Sequence, residues 1–343
     1  MIKSICILAL SCFLAAAPAR AYEFTKIDML FDTLLANYDG VFDIKQLSLF
    51  GGRALHKVDN SLRLYNSDSK AYLYEKNNLI ATFKLPQDEN PLLWKQLLAD
   101  ILKTGAARSL KLSDNPNTLE TEVLSEITAN LDEYSRLEKN NQTADLINYR
   151  LIDGILYISP TTFYKGFSDY FTQIISRHPS LKGVILDLRN NHGGDFNEAI
   201  KTADLFLDNT LIAYRAGKNQ PKRYYISTNG DILRGKPLAV LTNEETASSA
   251  EIVAAALYEQ SRATLIGTKT YGKDSTQLVN RMDTHTLFLT NGYFYTPSGK
   301  RISETGILPQ ICTGIGESCT ITDKNDPNKD IVTAINLIKK NLG

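Results

Sequence analysis

Two short segments, GVILDLR at 183–189 and PLAVLTN at 237–243, are apolar at nearly every position of their strand-length runs. A half-buried strand alternates apolar and polar residues, and a surface helix shows a stripe of period 3.6. An unbroken apolar run of this length is therefore a strand covered on both faces. DGILYISP (153–160) and ATLIGTKT (263–270) read as further strands. Between them FYKGFSDYFTQIISRH, DFNEAIKTADLFLD and the Ala-rich TASSAEIVAAAL carry helical patterns. Strands alternating with helices predict an α/β core around a largely parallel sheet. LIAYRAG and KRYYIST read as a hairpin, THTLFLTNGYFYTPSG as a long alternating strand, and DPNKDIVTAINLIKKNL as a closing helix with a lysine-rich end.

The first part of the chain is different in kind. Lys3, the apolar run 5–14 and Ala19-Arg20-Ala21 form a secretory signal pattern, with cleavage expected after Ala21. The apolar run is too short for a membrane span, which needs about 20 residues; a lipid anchor at Cys12 is the other reading. Residues 22–147 are expected to form a mainly helical N-terminal domain, with two or three strands in the Tyr-rich stretch 61–85 and Trp94 in its core. Residues 148–343 are expected to form the core domain with its C-terminal helix. Cys6 and Cys12 leave with the signal, and export favours a disulfide between Cys312 and Cys319 over free thiols. The 38 basic and 38 acidic side chains balance, which gives no pull toward nucleic acid or a membrane surface.

Ser248 stands where a loop becomes the Ala-rich helix, beside backbone N–H groups that have no helical partner and can hold an oxyanion. The same residue with Glu251 also reads as a capping box. A serine nucleophile needs a base. His56, His178, His192 and His285 show no obvious Ser-His-Asp arrangement. Lys273, after an apolar strand and a Tyr-Gly turn, can serve if burial lowers its pKa from about 10.4 toward 7 or 8; otherwise it is a solvated surface charge. LDLRNNHGG (186–194) brings glycine amides to the carboxyl end of a buried strand, where α/β folds keep their sites, although two glycines also suit an ordinary turn. The role of His192 stays open among solvent, substrate and the next helix.

The segments GVILDLRNNHGGDFNEAIKTADLFLD, TASSAEI, ATLIGTKTYGKDSTQ and LTNGYFYTPSGKRISETGILPQ, in this order and spacing, resemble the catalytic core of the C-terminal processing (tail-specific) serine peptidases. The resemblance runs from Asp153 to Pro309 and implies a ClpP/crotonase-like ββα core. It also implies an exported serine endopeptidase acting on proteins or peptides through an acyl-enzyme. Ser248 would be the nucleophile, Lys273 the base, Gln277 the residue that orients the lysine, and the amides of Ser249 and of Gly193 or Gly194 the oxyanion hole. No metal or cofactor is implied. LDEYSRL, starting at Leu131, resembles the motif that closes the family's helical region. No G-L-G-F-like loop follows it, so a member without the PDZ domain is expected. Two positions depart from the pattern. Gln310 stands where aspartate is usual, and Asp274 stands beside the base, where a carboxylate would raise the lysine pKa and oppose its deprotonation. A non-catalytic peptide- or ligand-binding protein on the same fold is the alternative reading, and a non-peptide esterase a third. A homodimer or a lid would be one way to restrict access to such a site.

Overall fold

The computed structural model describes residues 24–109, 111–112, 116–140, 147–218, 220–228, 230–303, 305–314 and 327–342. The signal pattern at 1–21 lies outside them. The chain forms two compact units: residues 1–35 with 41–131, and residues 36–40 with 132–343.

The first unit contains α1 (Thr25–Asn37, whose last turn enters the second unit), α2 (Ile44–Val58), α3 (Pro91–Ala106), α4 (Pro116–Thr128) and an antiparallel sheet β1 (Leu62–Asn66), β2 (Lys70–Glu75), β3 (Asn78–Lys84). Asp43 starts α2 by accepting from the N–H groups of Lys45 and Gln46. Asn90 caps α3 with Pro91 in its first turn. Trp94 is buried, as expected, and its indole N–H donates to the Asp88 carbonyl at 2.8 Å.

In the second unit a six-stranded sheet runs in the order β14 (Ile311–Cys312), β11 (Thr264–Gly267), β10 (Leu238–Thr242), β7 (Gly183–Asp187), β6 (Ile155–Pro160), β5 (Ile147–Ile152). All neighbours are parallel except β5 and β6. The unbroken apolar runs now have a physical account. Val184, Leu186, Val240 and Leu265 point into a core with α5 (Phe167–Arg177), α6 (Phe196–Asp204) and α7 (Ser249–Glu259). Ile185, Ala239, Leu241 and Ile266 point the other way, against Ala334 and Ile338 of α8 (Pro327–Lys340). Each large aliphatic residue so buried stabilises the fold by roughly 1.5–3 kcal/mol relative to exposure.

A second, antiparallel sheet follows the order β12 (Ser275–Arg281), β13 (His285–Tyr295), β8 (Leu211–Gly217), β9 (Gln220–Ile226), with β4 (Arg136–Lys139) also paired to β13. The hairpin and the long strand read from the sequence are β8–β9 and β13.

The helical part of the region ends at Thr128, where α4 stops. The Asp132 carboxylate accepts from the N–H groups of Tyr134 and Ser135 and from the Ser135 hydroxyl, a local alternative to helical bonding. The chain then enters β4, so residues from Asp132 onward pack with the second unit rather than the first.

Candidate active site

Because β7, β10 and β11 are parallel, the loops that follow them emerge at one edge of the sheet. These loops carry LDLRNNHGG, the Ser248 turn and TYGK, and they are stitched together. The Thr246 hydroxyl donates to the Leu188 carbonyl, the Ala247 N–H to the Asn191 carbonyl, and the Tyr271 N–H to the Thr246 carbonyl.

Ser248 heads α7 with φ 57 and ψ −122, a backbone conformation that residues with a Cβ rarely adopt. It is half-buried, whereas α7 behind it is buried from Ser249 to Leu257. Small residues make that possible: with Ala at 250, 254, 255 and 256 the helix lies against its neighbours as a packed rod.

Gly193 has φ +102, and a Cβ there would lie 3.0 Å from the Ala247 carbonyl oxygen, the Ser248 Cβ and the Ser249 nitrogen alike. The glycine loop therefore touches the serine turn. Its two amides differ. The Gly193 N–H donates to the Asn191 side-chain oxygen at 2.8 Å, while Asn191 is itself fully buried and bound to the Pro160 carbonyl. The N–H groups of Gly194 and Ser249 make no hydrogen bond among the described residues. The Ser249 hydroxyl donates to the Gly194 carbonyl at 3.1 Å, which holds those two residues together.

Glu251 is a site residue whose importance the capping-box pattern understates. Its carboxylate has no solvent exposure and accepts four hydrogen bonds. One oxygen takes the Thr270 hydroxyl at 2.5 Å and the Gly272 N–H at 2.7 Å; the other takes the N–H groups of Ser248 and Lys273, both at 2.8 Å. Serine and lysine thus hang from one oxygen atom. Burial pushes the Glu251 pKa up to about 7, against the pull of those donors.

Lys273 leads into β12, and Gln277 lies within it at a register shift in the pairing with β13. The Lys273 amine donates to the Gln277 side-chain oxygen at 3.3 Å. The Gln277 amide N–H donates to the Tyr134 carbonyl at 2.5 Å, and the Tyr134 ring centroid is 5.1 Å from the lysine nitrogen. Burial pushes the lysine pKa down to about 8; Arg136 adds to the effect, while Glu138, Asp132 and Glu133 oppose it. At pH 7 a group with that pKa is neutral in about a tenth of molecules, against well under a thousandth for an ordinary lysine.

Asp274, next to Lys273 in sequence, has partners of its own. It is fully buried and grips Arg301 through two bonds of 2.9 Å, with the Ser303 N–H as a third donor. Its charge is paired with that of Arg301. Gln310 caps the edge of the parallel sheet by accepting the Leu265 N–H at 3.0 Å. His192 is exposed, 3.8 Å from Glu245. Cys312 is disulfide-bonded; Cys319, its expected partner, lies outside the described residues.

A parallel sheet whose carboxyl edge carries a serine-headed helix, a glycine loop with an amide that is unpaired among the described residues, and a half-buried amine defines an α/β protein of the ClpP/crotonase ββα type. Residues 154–313, which hold Ser248, Lys273 and Gln277, match the model of peptidase family S41. Similar proteins include the carboxy-terminal-processing protease of Bartonella bacilliformis, 39% identical over 173 residues, covering 48% of this chain and 40% of the relative. The carboxy-terminal processing protease CtpA of Bacillus subtilis is 35% identical over 173 residues, covering 47% and 36%. The chain thus spans less than half the length of these curated relatives. Among solved structures, a lipoprotein from Streptococcus agalactiae shares the fold over 86% of this chain and 96% of its own, at 20% identity and a TM-score of 0.50. No helix among the described residues is long and apolar enough to cross a membrane.

Proposed function

We propose that this chain is an exported serine endopeptidase that cleaves protein or peptide substrates through an acyl-enzyme. The neutral Lys273 amine takes the Ser248 hydroxyl proton as the oxygen attacks the peptide carbonyl. The N–H groups of Gly194 and Ser249 hold the resulting oxyanion; Gly193 is set aside because its N–H already serves Asn191. The lysine ammonium then protonates the leaving amine, and water releases the acyl group by the same route in reverse. Gln277 orients the amine through its side-chain oxygen.

The observation that carries this reading is the shared acceptor: one Glu251 oxygen binds the backbones of both Ser248 and Lys273, next to a lysine whose pKa burial pushes down to about 8. The binding-protein alternative rests on Asp274 and on the expected lack of a PDZ domain; the Asp274 carboxylate is taken by Arg301. Export is supported by the pattern at 1–21 and by the bonded Cys312.

The test is mass spectrometry of products from a mixed peptide library, with wild type beside Ser248→Ala and Lys273→Ala. Each variant is expected to lose at least about 10⁴-fold in turnover while remaining folded. Undiminished cleavage by either pure variant sinks the assignment. Lys273→Arg is expected to be equally inactive, since a guanidinium does not become a neutral base.

A further inference from the structure

Arg136 belongs to LDEYSRL, before the segment that matches the peptidase family, and is 141 residues from Gln277 in sequence. Its Nη1 nevertheless donates to the Gln277 side-chain oxygen at 3.3 Å, the same atom and the same distance as the Lys273 amine. The Gln277 amide is fixed in that sense because its N–H group is held by the Tyr134 carbonyl, which also accepts from Arg136 at 3.0 Å. The guanidinium lies over the Phe288 ring, 4.2 Å from its centroid, and β4 is locked to β13 with Arg136 opposite Phe288. Two cationic side chains therefore converge on one neutral oxygen. Arginine keeps its charge at any working pH, whereas lysine can give up its proton, and like charges this close favour the state with only one charge present.

We propose that Arg136 is a positioning residue of the site, which orients Gln277 and uses its permanent charge to keep the Lys273 amine in the form that accepts a proton. This rests on Lys273 being the base. Other ionisable groups face the amine as well. Glu138, Asp132 and Glu133, all on the same segment, favour the charged lysine, and Tyr134 offers it a ring face. Glu251 of α7 binds the Lys273 backbone, and Asp274 is paired with Arg301. Glu138 also pairs with the Arg136 Nε, on a different nitrogen from the one that meets Gln277. Arg136 favours the neutral amine, against the pull of these carboxylates.

The test reads the lysine directly. Trace labelling with acetic anhydride across a pH series, quantified by mass spectrometry of the peptide containing Lys273, gives the midpoint of its deprotonation whether or not the protein cleaves anything. In Arg136→Met the midpoint is expected to rise by about half to one pH unit, and kcat/KM at pH 7 to fall about three- to tenfold, recovering above pH 9. Arg136→Lys, which keeps a cation, is expected to stay near the wild-type midpoint, and circular dichroism checks that both variants are folded. An unmoved midpoint in folded Arg136→Met, or an equal rise in both variants, overturns the proposal. Full cleavage by Lys273→Ala would instead overturn the assignment of the base, while leaving the labelling result intact.

Discussion

The Ser248 side and the Lys273 side of the proposed site are built by different means. Ser248, Gly193 and Gly194 sit in two tight loops at the carboxyl ends of β7 and β10, and backbone geometry fixes them: positive φ at all three, and amides freed or engaged one by one. Lys273 and Gln277 lie at the start of an antiparallel sheet and are fixed by side chains and a carbonyl from Tyr134 and Arg136, more than 130 positions earlier. The first construction leaves little freedom to move but also little to adjust. The second leaves the pKa of one amine open to tuning by distant residues.

The largest effect is expected from disturbing the backbone-built side. In Gly193→Ala the new Cβ meets only backbone atoms and the Ser248 Cβ, at 3.0 Å, in a conformation that alanine rarely adopts. Displacing the oxyanion corner is expected to lower kcat by about 10²–10³-fold with little change in KM. A steady-state comparison checks this, and a variant as fast as wild type would show that the glycine loop does not frame the reaction.

Glu251→Gln strikes where the two sides meet. An amide offers one acceptor oxygen in place of two, so two of the four donors around it lose their partner. The cost is about 2–6 kcal/mol, from about 1–3 kcal/mol for each buried unpaired group. Urea denaturation is expected to show that loss together with a smaller drop in kcat, and unchanged stability would mean that the carboxylate is dispensable.

The smallest catalytic effect is expected from Asp274→Asn. Weakening its bonds to the exposed Arg301 guanidinium is expected to lower stability by about 1.5–3 kcal/mol. The rising limb of the pH–rate profile should nevertheless stay near pH 8, because the Asp274 charge is paired with Arg301. A limb that moved down by a full unit would return Asp274 to the role of the base's counter-charge.

This contrast also explains what the sequence could and could not disclose. The unbroken apolar runs at 183–187 and 238–242 identify strands packed on both faces, and the TASSAEI and LDLRNNHGG segments mark where loops leave them. These are local patterns, and the parallel core follows from them. The partners of Gln277 and Asp274 are not local. Arg136 and Arg301 become neighbours only when β4 docks on β13 and the chain turns back after it, so Asp274 read in isolation looked like a threat to the base. Glu251 was visible, but three residues after a serine at a helix start it has an ordinary explanation in capping, and its bonds to Gly272 and Lys273 appear only in three dimensions. The choice between Gly193 and Gly194 depended on one buried side chain, Asn191, whose direction no pattern specifies.

The backbone of Ser248 has a consequence for how damage travels through the molecule. A serine held at φ 57 and ψ −122 lies uphill of its relaxed conformations by roughly 1–3 kcal/mol. It stays there because α7, buried from Ser249 to Leu257, leaves the turn no room to unwind. Any void opened beneath that helix, even at Val253 or Leu257 and well away from the chemistry, weakens the clamp before it melts the domain. The Ser248 turn would relax first, so its backbone reports how tightly the core beneath it is packed.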